Sequence, residues 1–130
     1  MRRVWILAAA AVLASCSPKA KTGAEAKYAG LDEAILAWRQ QIMKTDKACS
    51  AKADGCQSFE VGCKGEREIT PTDQAKGVSA KLVVAMSWEG WDPKRSEYHP
   101  ESGFSEFTKV GGDWLRGSTG PVNLSTCVSS

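Results

Sequence analysis

Histidine is almost absent from this chain: among 130 residues only His99 carries an imidazole. A metal site would therefore have to be built from cysteine. Cys49, Cys56 and Cys63 stand in a C-x6-C-x6-C spacing, not in the tight pairs that zinc sites use. No serine or cysteine nucleophile sits beside His99 in a known catalytic motif, and no cofactor loop is present. The chain is accordingly read as a non-enzyme with no cofactor, no metal and no catalytic residue. Long apolar runs are also missing. The longest, Val4 to Ala14, has eleven residues, whereas a membrane-spanning helix needs about 20. Net charge is small, +2, and Arg2 and Arg3 account for it. Without them the surface is neutral and mixed, which argues against nucleic acid and against a polybasic membrane patch.

What is present begins with the first sixteen residues. Arg2 and Arg3 precede the short apolar run, as in the charged and apolar regions of a secretion signal. The run ends in Leu13-Ala14-Ser15-Cys16, which resembles the lipobox of bacterial lipoproteins. The resemblance implies a diacylglycerol on the Cys16 thiol, cleavage between Ser15 and Cys16, and acylation of the new amine with a fatty acid such as palmitate. Two or more acyl chains give stable membrane anchoring where one is marginal. Ser17, in place of an aspartate, implies the outer membrane, with the domain facing the periplasm. The expected organisation is a signal peptide over 1–15, a lipidated N-terminus and flexible tether over 16–29, and one small domain over 30–130.

With Cys16 given to lipid, Cys49, Cys56, Cys63 and Cys127 remain. Four cysteines in a small exported domain suggest two disulfides. Three connectivities are open, and the sequence does not choose among them. The favoured expectation is Cys49 with Cys56, closing a short loop, and Cys63 with Cys127, tying down the C-terminus.

Leu31, Ile35, Trp38 and Ile42 recur at the spacing of one helical face, so a helix is predicted over 31–45. Asp32 and Glu33 in its first turn and Lys44 near its last suit the helix dipole. Arg39, Gln40 and Lys44 form its solvated side. Strand signals follow: alternation over Phe59, Val61 and Cys63, a short partner strand over Glu66 to Thr70, and a strong strand over Val78 to Trp88. A hairpin flanks Gly111-Gly112, joining Phe104–Val110 to Asp113–Arg116, and Pro121 to Cys127 is expected as a final edge strand. The sum is an α+β domain: one N-terminal amphipathic helix packed on a curved antiparallel sheet of about four to six strands, disulfide-linked. In shape this resembles cystatin-like and NTF2-like architectures.

The stretch from Glu89 to Gly103 reads as a long loop, and long loops tend to be functional. It carries Trp91, Tyr98 and His99, the candidate binding residues, whose aromatic faces suit a sugar ring or a protein partner. The alternative is that Trp91 folds back to cover the core edge. Glu60, Glu66 and Glu68 are considered as paired carboxylates and read instead as a solvated face. The expected partners are the membrane, through lipidated Cys16, and an envelope protein or cell-wall glycan. Phe59-Glu60-Val61-Gly62-Cys63 and Asn123-Leu124-Ser125-Thr126-Cys127 also resemble the disulfide-ended strands of small lysozyme-inhibiting lipoproteins. That resemblance implies an inhibitor of lysozyme, although those proteins are barrels without a leading helix.

Overall fold

The computed structural model describes residues 27–130. The signal segment and Cys16 lie outside the described residues. Helix α1 (Leu31–Thr45) leads into a one-turn helix α2 (Lys47–Ser50). Strand β1 (Gln57–Glu66) is followed by a short helix α3 (Pro71–Ala75) and then by β2 (Val78–Asp92), β3 (Glu97–Val110) and β4 (Asp113–Gly117). The four strands form one antiparallel sheet in the order β1-β2-β3-β4. The domain is therefore α+β with an open sheet, at the lower end of the expected strand number.

One stripe of α1 makes the main core. Leu31, Ile35, Trp38 and Ile42 are buried against Leu82, Val84, Met86, Trp88 and Phe107. The strand residues occupy alternate positions and so project from one face of the pleat. Trp38 meets Phe107 edge-on, with ring centroids 5.9 Å apart. Tyr28 packs against this core, and the Trp114 indole N–H donates to the Ala29 carbonyl at 2.8 Å. Val83 and Ala85 project from the other face of β2 and are equally buried, at 0% and 1% exposure. Strand β2 is thus covered on both sides.

Two disulfides staple the domain. Cys49–Cys56 closes a loop of sequence separation 7, and Cys63–Cys127 one of 64. The first ties α2 to the start of β1. The second brings the C-terminus to β1, on the face opposite α1, because Cys63 pairs across the ladder with Ala85.

Three expected elements fold differently. Residues Glu66 to Thr70 do not form a returning strand. Strand β1 runs straight through Gly65, which pairs with Val83. Thr70 instead caps α3: it accepts from the Asp73 N–H while the Asp73 carboxylate accepts from the Thr70 N–H, and Pro71 sits at the first helical position. A capping box with proline at that position outcompetes strand pairing. Pro121 to Cys127 forms no strand beyond an isolated bridge of Val122 with Ser129. The Asn123 carboxamide accepts the N–H groups of Ser125 and Thr126 and so curls the chain into a turn. The long loop over 89–103 is mostly paired strand, with a turn confined to Pro93–Ser96. Pro100 is tolerated there because β4 pairs with β3 only from Glu106 onward, so no ladder bond is lost.

The Asp73 carboxyl is held down from 3.8 to about 2, first by the Thr70 N–H and then by the Lys81 ammonium at 3.1 Å. A depressed carboxyl stabilises the fold above its unfolded value, and this contribution disappears as pH falls through its folded one. The stability difference between wild type and Asp73→Asn, read from urea midpoints, is therefore expected to shrink between pH about 4 and about 2. Core packing makes a second prediction: Trp38→Ala destabilises by about 3–5 kcal/mol in urea unfolding.

Candidate functional site

The aromatic residues come together at the free end of the β2–β3 hairpin. Trp91 and Tyr98 are direct cross-strand partners, and the strands continue one pair further, to Asp92 and Glu97. Beyond them Asp92 accepts the N–H groups of Lys94 and Arg95, which closes the turn. The two rings lie edge-to-face with centroids 5.1 Å apart and planes at 74°. Both side chains are half-buried. The pair is therefore a rigid aromatic ridge on a paired hairpin, not a mobile loop. Such a cross-strand aromatic pair contributes roughly 0.5–1 kcal/mol to the hairpin.

A cation covers part of this ridge. The Lys52 ammonium lies 4.1 Å from the Trp91 ring centroid and 4.9 Å from that of Tyr98. Lys52 belongs to the segment between Cys49 and Cys56, so the short disulfide loop delivers it.

Inward along the hairpin, on the face opposite Trp91 and Tyr98 by strand alternation, sits a polar network. His99 Nε2 is 3.2 Å from Glu101 Oε1, and the Trp88 indole N–H donates to Glu101 Oε2 at 2.8 Å. His99 Nδ1 is shielded from solvent and has no hydrogen-bond partner among the described residues. Glu101 reaches this position because residue 90 is glycine: a Cβ there would stand 2.9 Å from the Glu101 carboxylate and 2.7 Å from the Ala48 methyl of α2. Helix α2, Gly90 and Glu101 are therefore mutually fitted. Among the described residues His99 hydrogen-bonds to Glu101 and to no hydroxyl or thiol.

The remaining candidates disperse. Glu60 pairs across the ladder with Ser87 and Glu66 with Leu82, on opposite faces of the sheet. The cause is a register shift between Val61 and Cys63. Glu66 is engaged by Lys27 at 3.2 Å, and Glu68 lies past the end of β1. These three carboxylates form no pair. A separate cleft of about 620 Å³ opens at the start of α1, between Tyr28, Leu31, Lys64, Glu66 and Leu82. Of the residues considered from the sequence it holds Glu66 alone, and none of Trp91, Tyr98 and His99. No group of three or more histidine, cysteine or acidic side chains is placed to hold a metal ion among the described residues. No described helix is long and apolar enough to cross a membrane.

The candidates named from the sequence, Trp91, Tyr98 and His99, have as neighbours Glu101, Trp88 and Lys52, which sequence reasoning did not single out as site residues. Glu101 stands two residues from His99, so strand alternation places both on one face once the stretch is recognised as strand. Lys52 left no such signal, because its position depends on the disulfide loop. Comparison with protein-family models, with curated proteins and with solved structures finds no match to this chain.

The network predicts a graded response. Glu101→Ala strands the buried Trp88 N–H and costs about 1–3 kcal/mol. Glu101→Gln, which keeps an acceptor, costs less. Both values are read from urea unfolding followed by tryptophan fluorescence.

Proposed function

We propose that this protein is a lipid-anchored, non-catalytic binding module of the bacterial cell envelope, and that it holds cell-wall glycan at the Trp91–Tyr98 ridge. One observation carries the reading: two half-exposed aromatic rings are locked edge-to-face at the outer end of a paired hairpin. Aromatic faces stack on sugar rings, and a pre-ordered pair loses little entropy on doing so. The Lys52 ammonium beside the rings suits the carboxylates of the wall's stem peptides. The location rests on the lipobox-like Leu13-Ala14-Ser15-Cys16. Anchoring at Cys16 would place the domain at the outer membrane's periplasmic side, within reach of the wall.

Inhibition of lysozyme is a second reading. It draws on the disulfide that joins the Phe59–Cys63 segment to the terminal Asn123–Cys127 segment, the two stretches that resemble lysozyme-inhibiting lipoproteins. The open four-stranded sheet and leading helix depart from the barrel of those proteins.

Co-sedimentation with purified peptidoglycan sacculi separates the outcomes. Wild type is expected in the pellet. Trp91→Ala with Tyr98→Ala is expected to weaken retention at least about tenfold, a loss of about 1.4 kcal/mol, while the melting temperature falls by only about 2–8 °C, as the pair's stabilisation of the hairpin implies. Equal retention of both proteins would move the site off the ridge. Absence of any wild-type retention, with lysozyme turnover blocked at micromolar protein, would replace the glycan reading with the inhibitor.

A further inference from the structure

The chain after β4 returns to β1 as a compact terminal turn. Its hydrogen bonds are largely its own: Asn123 N–H to the Val128 carbonyl at 2.8 Å, Cys127 N–H to the Asn123 carbonyl at 2.7 Å, and Ser130 N–H to the Pro121 carbonyl at 3.1 Å. Its ties to the sheet are the Cys63–Cys127 bond and a hydrogen bond from the Arg67 guanidinium to the Cys127 carbonyl. The turn fits closely because β1 presents glycine twice. A Cβ at Gly62 would collide with the Leu124 carbonyl, and one at Gly65 would stand 2.8 Å from Cys127 Cβ. On the same face, Val83 and Ala85 are sealed from water. Cys127 itself is held at φ 59°, a region that costs a residue with a side chain.

The two disulfides differ in access. Cys49 and Cys56 are both buried, at 3% and 6% exposure. In the other bond Cys127 is fully buried but Cys63 is half-exposed. Cys63 is therefore the more exposed end of this bond, with its Sγ flanked by the Leu124 carbonyl at 3.5 Å.

We infer that the Cys63–Cys127 bond is a thiol–disulfide exchange site for a dithiol reductant, and that opening it frees the terminal turn and bares the apolar face at Val83 and Ala85. One thiolate of the dithiol attacks Cys63 Sγ. The Cys63–Cys127 bond breaks, a mixed disulfide forms at Cys63, and Cys127 leaves as a thiolate that takes up a proton. The second thiol then attacks the mixed disulfide, releases Cys63 as a thiol, and carries away the oxidised dithiol. The dithiol gives up two electrons and two protons, and the protein gains both. The Arg67 guanidinium holds the Cys127 carbonyl, not its sulfur, so exchange is governed by access to the bond. Once free, Cys127 relaxes from its positive φ, and the turn loses its covalent tie together with the internal hydrogen bonds that the tie held in place.

The full chain is treated with dithiothreitol for increasing times, quenched with iodoacetamide and mapped by peptide mass spectrometry. Cys63 and Cys127 are expected to be alkylated at least about tenfold faster than Cys49 and Cys56, as thiolate access controls exchange. The singly reduced species is expected to bind bis-ANS, to lose hydrogen-exchange protection only after residue 120, and to keep protection in α1. Equal reduction of both disulfides would overturn the proposal. So would a selective cut that leaves dye binding unchanged. Cys63→Ser with Cys127→Ser is expected to reproduce the dye binding with α1 protected. If that variant does not fold, the proposal fails in its claim that the rest of the domain stands without the clasp.

Discussion

The domain depends on the burial of β2 from both sides. Helix α1 covers Leu82, Val84, Met86 and Trp88, while Val83 and Ala85 are sealed on the opposite face. An isolated four-stranded meander would bury only one face, and a core of this size is modest for about 100 residues. The second layer is thin: α3 contributes Asp73 to Lys81, and the terminal turn contributes Cys127 and Val122. A disulfide and a capped helix of five residues take the place of a second sheet.

The same strand carries the candidate site. Strand β2 leaves the core at Trp88, whose indole N–H already points to Glu101, and continues to Trp91. Core and contact surface are therefore consecutive along one rigid element, which positions a site more precisely than a loop does. The His99–Glu101–Trp88 network marks the boundary between them. Its carboxylate is engaged at both oxygens by residues of the two hairpin strands, which ties β2 to β3 at this point.

Much of this was legible. The spacing of Leu31, Ile35, Trp38 and Ile42 located α1, and alternation from Val78 to Trp88 located the central strand. Both signals come from large apolar side chains with a single periodicity. Where periodicity is carried by polar residues, it misled. Glu89 to Gly103 is rich in charge and proline and read as loop, yet it pairs residue by residue, because a hairpin extending past its neighbours need not be apolar. The short strand expected after Gly65 and the edge strand expected after Pro121 failed for a related reason. Local hydrogen bonds from Thr70, Asp73 and Asn123 side chains compete with the ladder and win over a few residues. At the site, aromatic residues could be named from composition, but their neighbours Lys52 and Glu101 required the fold.

The Cys49–Cys56 loop encloses Lys52, the cation nearest the aromatic rings. Its ends are buried and covalently joined, whereas Ser50, Ala51, Ala53 and Asp54 face solvent. Substitutions within this small ring change what flanks Trp91 without disturbing the helix or sheet on either side. Scaffold and surface chemistry are thereby decoupled: the enclosed residues form a module in which the groups beside the aromatic pair can drift independently of folding.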